Sequence, residues 1–328
     1  MSNNKIIVTG GSGFVGTNLV GYFTEQGWEV INFDIAGPRN IEHTTFWRKV
    51  DLLDRPQIIR ETQQFQPSAF LHFGARTDLK EEKNLGGFTA NIEGVCNIIE
   101  AIRATPSIQR VIFASSQLVC RLGITPKDDY DYQPTTLYGQ SKVLTERIIR
   151  AAGEIGPIWT IVRPTSLWGP WFDVPYKDFF TMIARNLYVH PGGVRTKKQW
   201  GFIGNTVYQI WKLIKAPPDM VHKKTFYLAD YEPVDLSDFA DLVQTRLMAK
   251  PIRTVPVGIL KLAAFIGDGV QMLGWTNPPL TRFRFKNIVT SEIQDLEPLR
   301  QIADPLPYSS ADGIAITVDW LRREGNSG

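Results

Sequence analysis

A tyrosine and a lysine four positions apart, Tyr138 and Lys142, are the residues of this sequence best suited to move a proton. Residues i and i+4 share one face of a helix, so the phenol and the ammonium point the same way if the segment is helical. A free tyrosine has a pKa of about 10 and is a poor base near neutral pH. A neighbouring ammonium favours the phenolate and lowers that pKa. The pair therefore predicts a general acid/base group.

A pair of serines, Ser115 and Ser116, closes a predicted strand that begins at Arg110. The carboxyl ends of parallel strands line the crevice where open α/β sheets bind their ligands. A hydroxyl at that place can hydrogen-bond a reacting oxygen as the oxygen gains or loses charge. The serines are therefore candidates to work beside Tyr138.

A glycine-rich loop follows the first predicted strand, with Gly10, Gly13 and Gly16 three residues apart. Such glycines allow a tight turn, a close approach of the backbone to a pyrophosphate, and close packing of helix on strand. The following helix offers free N–H groups and its positive dipole end to phosphates. Asp34 ends the second strand, where a carboxylate binds ribose hydroxyls and repels a 2′-phosphate. The loop therefore predicts a dinucleotide site that prefers NAD to NADP, with Arg39 the one nearby group that could favour a phosphate.

Strands alternate with helices in the first half, which predicts a doubly wound α/β (Rossmann) fold with helices on both faces of a parallel sheet. The predicted strands are Lys5–Thr9, Trp28–Asp34, Ala69–Phe73, Arg110–Ser115 and Ile158–Arg163. The predicted helices are Thr17–Gln26, Arg55–Phe65, Leu85–Ala104 and Leu137–Ala152. Beyond Pro164 the sequence is rich in proline and aromatic residues, and its predicted elements are short, such as Thr225–Ala229 and Ser237–Met248. We predict a dinucleotide-binding domain over 1–165 and a smaller substrate domain over 166–328 that could return strands to the sheet.

Composition excludes several classes of protein. The chain has 328 residues, 43% of them hydrophobic and 21% charged, which excludes a disordered chain. A net charge of +3 is too small for a nucleic-acid binder. Two cysteines, Cys96 and Cys120, cannot build a disulfide framework, and no signal peptide is visible at the start, so a cytoplasmic protein is expected. The four histidines lack metal-ligand spacing, so no metal site is predicted.

An apolar run from Val255 to Trp275 is interrupted by Lys261 and Asp268. A bilayer span needs about 20 largely apolar residues, so no integral membrane segment is predicted. We expect a buried pair of helices broken near residues 267–269. The alternative is a helix that lies on a membrane surface or on an apolar ligand.

These motifs together resemble the extended short-chain dehydrogenase/reductases of the NAD-dependent epimerase/dehydratase family. The matching segments are Thr9–Gly16, Asp34, Asp51-Leu52, His72-Phe73-Gly74-Ala75, Asn91, Ser115-Ser116, Tyr138, Lys142 and Arg163-Pro164. The resemblance implies that Tyr138 is the acid/base, that Lys142 binds the nicotinamide ribose and tunes Tyr138, and that Ser116 is the catalytic hydroxyl. It implies further contacts with NAD from Gly10, Gly13, Phe14, Val15, Gly16, Asp34, Asp51, Leu52, Gly74, Ala75, Arg76, Asn91, Ser115, Pro164, Thr165 and Ser166. It also implies a homodimer formed by the helices Leu85–Ala104 and Leu137–Ala152.

The sequence departs from the family's dehydratases just after Ser116. Those enzymes carry Asp-Glu at the next two positions, where the two carboxyls move protons during loss of water. This chain has Gln117 and Leu118, which cannot transfer a proton. Dehydration is therefore disfavoured, and so is decarboxylation of a sugar acid. Oxidation, reduction or epimerisation of a secondary alcohol remains.

Three functions stay open from the sequence. A nucleotide-sugar epimerase or oxidoreductase is expected first, because cations beyond Pro164 could pair with a diphosphate. A dehydrogenase or isomerase of an apolar alcohol is the alternative, because Gly204-Asn205 resembles the 3β-hydroxysteroid dehydrogenase branch. A non-catalytic NAD-binding sensor is the third, against which the intact catalytic set argues. The candidate substrate contacts are Thr77, Gln117, Trp168, Arg195, Lys198 and Arg282. If the first function is right, the three cations should lie across from Tyr138.

Overall fold

The computed structural model describes residues 4–77, 84–173, 176–272 and 280–325. Its strands are β1 (Lys5–Thr9), β2 (Glu29–Asp34), β3 (Trp47–Lys49), β4 (Ala69–His72), β5 (Arg110–Ala114), β6 (Ile158–Pro164), β7 (Leu167–Trp168), β8 (Val189–Gly192), β9 (Lys197–Lys198), β10 (Gly201–Phe202), β11 (Thr225–Leu228), β12 (Val234–Asp235) and β13 (Arg253–Pro256). Its α-helices are α1 (Phe14–Glu25), α2 (Arg55–Phe65), α3 (Thr89–Arg103), α4 (Leu137–Ala151), α5 (Tyr176–Ala184), α6 (Ile203–Lys215), α7 (Pro218–Val221), α8 (Leu236–Leu247), α9 (Val257–Met272), α10 (Arg282–Val289), α11 (Glu297–Ala303) and α12 (Ser310–Gly325). Short 3₁₀ helices lie at Ile41–Phe46, Leu85–Phe88 and Gln117–Val119.

Seven strands form one parallel sheet in the order β11-β6-β5-β4-β1-β2-β3. The central strands are continuous apolar runs because helices cover both faces of the sheet, and Ile6, Ile7 and Val8 of β1 are fully buried. The doubly wound α/β fold predicted from the sequence is confirmed.

Each face of the sheet has its own apolar layer. On one face α2, α3 and α4 pack side by side, and their buried side chains include Ile58, Val95 and Ile149. On the other face α1 packs against α6, with Leu19 and Ile210 in the core. The helices that carry the candidate catalytic residues and the glycine loop therefore lie on opposite faces of one rigid sheet.

The second half of the chain completes this sheet. Strand β11 pairs in parallel with β6, which places Thr225 beside Ile161 at the outer edge. Polar contacts also join the halves, because the Asn18 side chain donates to the carbonyl of Pro170 at 3.0 Å. A returned strand agrees with the expectation from the sequence, and the boundary near residue 165 stays a prediction.

Most predicted elements differ from the structure by one to three residues at their ends, and two differ more. The helix predicted from Leu85 begins with a 3₁₀ turn, and α3 starts only at Thr89. The predicted break near residues 267–269 is wrong, since α9 runs through it as one helix. The same segment was expected to be buried, yet only one line of its side chains faces the protein. Residues 273–275 of the predicted apolar run lie outside the described residues.

Candidate active site

The glycine loop after β1 is shaped by close backbone approaches. Gly10 has a φ of 69°, and a Cβ added there would lie 2.7 Å from the backbone of Gly74. A Cβ on Gly16 would lie 2.0 Å from the carbonyl oxygen of Gly10, so α1 packs against the turn only because this residue has no side chain. The sequence predicted such a turn and such packing for these positions, and the geometry has both.

The start of α1 is left open by its own sequence. Gly13 is the N-cap residue, and no side chain caps this helix. By contrast, Asp54 caps α2, Thr136 caps α4 and Asp235 caps α8 through side-chain oxygens. The first N–H groups of α1 therefore carry the positive end of the helix dipole without a side-chain acceptor, which suits a phosphate.

Asp34 closes the far side of the glycine loop. Its carboxylate accepts hydrogen bonds from the backbone N–H of Ser12 at 3.1 Å and of Ala36 at 3.0 Å. Arg39, the nearby cation, instead donates to the carbonyl of Trp171 at 3.0 Å and pairs with Asp173 at 3.5 Å. The carboxylate at the end of β2 is thus the charge nearest the loop, and its predicted role toward a ribose stays a prediction.

Tyr138 lies in the first turn of α4, half-buried, beside the end of β5. Burial raises the pKa of its phenol to about 12, and hydrogen-bonding contact with the Ser116 hydroxyl lowers it in part. Ser116 is fixed in place because its Oγ accepts from the N–H of Leu118 at 3.1 Å. The structure therefore brings together the phenol and the hydroxyl that the sequence selected.

Lys142 is buried one turn further along α4. Its Nζ donates to the carbonyl of Ala114, the last residue of β5, at 2.8 Å. Burial lowers the pKa of this ammonium to about 8, and the negative charge of Glu146 opposes that change. The lysine is thus held at the strand end by one short hydrogen bond, with a carboxylate behind it.

That carboxylate, Glu146, is the centre of a buried network that the sequence did not predict. Arg163 contacts it with both ends of the guanidinium, Nε to Oε1 at 2.9 Å and Nη2 to Oε2 at 2.8 Å. Ser115 donates to Oε1 at 2.5 Å and Tyr132 to Oε2 at 2.9 Å. Burial works against the charge, but these donors hold the pKa of Glu146 below its usual value. The signal in the sequence was its position, four residues after Lys142 on the same helix face.

Gln117 begins a second polar chain on the other side of Ser116. Its amide donates to Ser166 Oγ at 3.3 Å, and the Tyr176 hydroxyl donates to the same oxygen. Burial raises the pKa of Tyr176 to about 12, so the phenol is neutral at ordinary pH. The predicted substrate residue Gln117 thus connects Ser116 to Tyr176 of α5, an aromatic residue that from the sequence could either line a pocket or pack in the core.

Asn91 connects the loop after β4 to the catalytic helix. Its side chain donates to Ser141 Oγ at 2.9 Å and exchanges hydrogen bonds with both backbone groups of Arg76, at 2.8 and 3.0 Å. A Cβ on Gly74 would lie 2.9 Å from the side chain of Leu52, which brings that residue to the same loop. The contacts with NAD predicted for these residues stay predictions. The same holds for Phe14, Val15, Asp51, Ala75, Pro164 and Thr165, and for the substrate contact of Thr77.

The three candidate diphosphate cations all have acidic partners. Arg195, on the surface, contacts Asp238 at 3.1 Å. Lys198 is buried, where it contacts Glu292 at 2.7 Å and the carbonyl of Asn287 at 2.6 Å. Arg282 pairs with Asp268 on α9. Each of the three cations is thus already paired with a carboxylate, and their contact with a diphosphate stays a prediction.

Trp168 packs among aromatic side chains. It is 2% exposed, and its ring lies 5.1 Å from those of Phe202 and Phe239 and 6.0 Å from that of Phe180. This burial favours a packing role, and the contact with substrate stays a prediction.

The described residues also bear on metal binding and on membrane insertion. Within 4–77, 84–173, 176–272 and 280–325, no group of three or more His, Cys, Asp or Glu side chains is arranged to hold a metal ion. No helix in the same ranges is both long and apolar enough to span a membrane.

Comparison with known proteins places the chain in a family. The model of the NAD dependent epimerase/dehydratase family matches residues 6–229. A 3-beta-hydroxysteroid dehydrogenase of Mycolicibacterium neoaurum is 25% identical over 72% of this chain and 68% of its own. An N-acetyl-alpha-D-glucosaminyl-diphospho-ditrans,octacis-undecaprenol 4-epimerase of Escherichia coli O157:H7 is 22% identical over 97% of this chain and 95% of its own. The crystal structure of the Thermus thermophilus UDP-glucose 4-epimerase in complex with NAD has a TM-score of 0.73 at 18% identity, over 97% of this chain and 99% of that one.

The chain belongs to the NAD-dependent epimerase/dehydratase family, and its cofactor is NAD. The local geometry fits that cofactor. A side chain at Gly16 could not be accommodated, the N-terminus of α1 has no side-chain cap, and Asp34 stands at the end of the neighbouring strand. The same residues would hold the pyrophosphate and the adenosine ribose.

Proposed function

We propose that this protein is an oxidoreductase or epimerase that acts on a secondary alcohol through Tyr138. One observation carries the proposal: the Tyr138 phenol contacts the Ser116 hydroxyl, and the Lys142 ammonium is fixed at the end of the same strand. These three groups are what removal of a proton from an alcohol requires, namely a base, a hydrogen-bond donor to the reacting oxygen and a positive charge.

In this mechanism the Tyr138 phenolate takes the proton of the substrate hydroxyl while Ser116 hydrogen-bonds the same oxygen. Burial opposes formation of that phenolate, so the charge of Lys142 is needed to offset it. NAD, held by the glycine loop and Asp34, would supply the acceptor for the hydride of the alcohol carbon and, for an epimer, the donor that returns it. Tyr138 then gives the proton back when an epimer is made, or loses it to solvent when the ketone leaves. Gln117 and Leu118 carry no acid, so no group follows Ser116 to expel water.

For the substrate, we propose a sugar carried on a diphosphate as the first candidate. The support is similarity over nearly the whole chain, including the half beyond Pro164, to a UDP-glucose 4-epimerase and to an epimerase of a lipid-diphosphate-linked sugar. Both relatives change the configuration of a secondary hydroxyl, which is the chemistry proposed for Tyr138.

A second candidate is an apolar secondary alcohol. The observation that favours it is the pairing of Arg195, Lys198 and Arg282 with acidic side chains, since paired cations are less available to a diphosphate. A 3-beta-hydroxysteroid dehydrogenase is among the relatives, at 25% identity. The two candidates differ in whether the substrate carries a phosphate.

The test is Tyr138→Phe measured with a substrate panel. The panel holds UDP-, GDP- and dTDP-sugars, a polyprenyl-diphosphate sugar and apolar alcohols, with NADH absorbance and product stereochemistry both recorded. Removing the acid/base should lower kcat by about 10²- to 10⁴-fold while the Kd for NAD changes little.

The matched control is Tyr130→Phe, which removes the same atom from an exposed tyrosine. Epimer formation without net NADH from a nucleotide-sugar supports the first candidate, and NADH release only with apolar alcohols supports the second. Turnover retained by Tyr138→Phe would rule out the assigned acid/base.

A further inference from the structure

Helix α9 exposes an apolar stripe between Ile259 and Ile266, within its first three turns. Its buried line of Leu260, Ala264 and Gly267 packs on the protein. The opposite side carries large apolar side chains at 57–64% exposure. They are Ile259, Leu262, Phe265 and Ile266. At 100° per residue they cover an arc of about 120°, the width of the apolar face of a docked amphipathic helix.

This clustering sets α9 apart from the rest of the surface. Thirteen large hydrophobic side chains are highly exposed among the described residues, and four of them lie within eight positions of this one helix. Scattered exposed apolar residues are normal on soluble proteins, whereas a contiguous patch marks a surface that binds something. The stripe is therefore expected to be a binding surface.

The charges around the stripe indicate which occupant it has. Residues 253–290, which hold α9 and α10, contain five Lys or Arg and one acidic residue, Asp268. The whole chain has 36 basic and 33 acidic residues, so the remainder has 31 and 32. The positive charge of the protein is thus concentrated in the segment that exposes the apolar stripe. The basic residues are Arg253, Lys261, Arg282, Arg284 and Lys286.

Cations also border the stripe directly. Lys261 is exposed on the flank of α9 and is the cation available there, while the Arg282 guanidinium, which pairs with Asp268, lies 4.7 Å from the centre of the Phe265 ring. An apolar stripe edged by cations matches the boundary of a bilayer, where acyl chains meet anionic headgroups. A protein partner would be expected to place acids against those cations, whereas the membrane supplies phosphates over the whole area.

The helix that carries the stripe is connected through α10 to other parts of the molecule. Lys198 Nζ contacts the carbonyl of Asn287 near the end of α10. Thr290, which follows α10, reaches Gly123 in the loop after Ser116, where an added Cβ would lie 2.5 Å from its methyl group.

We propose that α9 docks this protein in the headgroup region of an anionic lipid bilayer, with Ile259, Leu262, Phe265 and Ile266 inserted and Lys261 on the phosphates. The proposal goes beyond the reaction at Tyr138 and does not depend on which alcohol the site oxidises.

The experiment is sedimentation of the full chain with vesicles of phosphatidylcholine, alone or mixed with phosphatidylglycerol. The wild type should sediment with the mixed vesicles and bind pure phosphatidylcholine much more weakly. Leu262→Ser/Ile266→Ser should lower the partition coefficient by about tenfold or more, because apolar groups no longer enter the acyl region. Lys261→Gln should lower the partition coefficient about fivefold on mixed vesicles and change it little on pure phosphatidylcholine.

The matched control is Leu187→Ser/Met248→Ser, which removes two exposed apolar side chains elsewhere and should bind like the wild type. Thermal unfolding and NAD binding of each variant verify that the fold is kept. Failure of the wild type to sediment with mixed vesicles would overturn the proposal, as would unchanged binding by the α9 variant. A wild type that self-associates without binding vesicles, and becomes monomeric in the α9 variant, would overturn it in favour of a protein interface.

Discussion

At the scale of single residues, the charge of Lys142, the lysine proposed to act beside Tyr138, depends on its neighbours. Lys142 is buried, yet it keeps an ammonium within reach of physiological pH because Glu146 stands one turn behind it. Glu146 in turn stays charged because Arg163 binds both of its oxygens. Removing one member of such a buried pair leaves an uncompensated charge, so the three residues act as one unit.

Asp34 is predicted to set the choice between NAD and NADP. Asp34→Asn removes the negative charge and keeps one of the two oxygens, which can still accept from one of the backbone N–H groups of Ser12 and Ala36. The ratio of Kd values, NADPH over NADH, should fall by at least about tenfold, since a 2′-phosphate is no longer repelled. Titration with both reduced cofactors measures this ratio. Glu42→Gln, an exposed acid in the following 3₁₀ helix, is the control, and an unchanged ratio in Asp34→Asn would contradict the prediction.

At the scale of elements, the Gly204-Asn205 motif, which suggested a substrate class, connects three segments of the fold through hydrogen bonds. Asn205, in the first turn of α6, donates to Asp230 Oδ1 at 2.9 Å and to the carbonyl of Tyr308 at 2.9 Å. It also accepts from the Tyr308 N–H at 3.1 Å. These bonds join α6, the end of β11 and the segment before α12. The resemblance of Gly204-Asn205 to one branch of the family is therefore explained by packing and carries no argument about substrate.

The Asp230 carboxyl in this hydrogen-bonded network should make the free energy of unfolding depend on pH. Burial raises the pKa of Asp230 to about 7, although the Asn205 amide and the Phe202 N–H oppose the change. Between the unfolded pKa near 3.8 and the folded value, the native state holds a proton that the unfolded state has lost, so stability falls as pH rises through this window. Between pH 5 and pH 8, the free energy of unfolding should fall by about 2–3 kcal/mol less in Asp230→Asn than in the wild type.

Urea unfolding of both proteins at the two pH values measures the effect. The variant loses the acceptor for the Phe202 N–H, so the informative quantity is the change with pH rather than the stability at one pH. Asp219→Asn, an exposed acid of α7, is the control. An equal pH dependence in wild type and Asp230→Asn would show that this carboxyl ionises normally.

At the scale of the whole molecule, α3 and α4 pack side by side and carry the predicted dimer interface. The family resemblance predicts that two copies associate there. Leu144→Arg on α4 should convert a dimer to a monomer in size-exclusion chromatography with light scattering, because a charge would be buried in the interface. Leu242→Arg on α8 is the control. A wild type that is already monomeric, or a Leu144→Arg protein that remains dimeric, would contradict the predicted interface.

Much of the cofactor half could be predicted because its signals are local. A glycine turn, a strand end and an i, i+4 pair each depend on residues close in sequence, and the alternation of apolar strands with helices follows from covering both faces of a sheet. The boundaries of α2 were predicted at Arg55 and Phe65, because Asp54 caps the helix and Pro56 suits its first turn.

The remaining features of the site and surface depended on contacts between residues that are far apart in the sequence. Lys198 and Glu292 are 94 positions apart, and no local pattern says that the cation thought to face a diphosphate is already paired. Trp168 is enclosed by rings from three other elements, so burial and not spacing favours a packing role for it. For α9 the sequence contained the apolar residues and the cations, but an apolar helix is buried or exposed according to what packs on it. The sequence thus determined the fold and the cofactor and predicted the acid/base residues, while the tertiary structure decided which cations are paired and which apolar face remains uncovered.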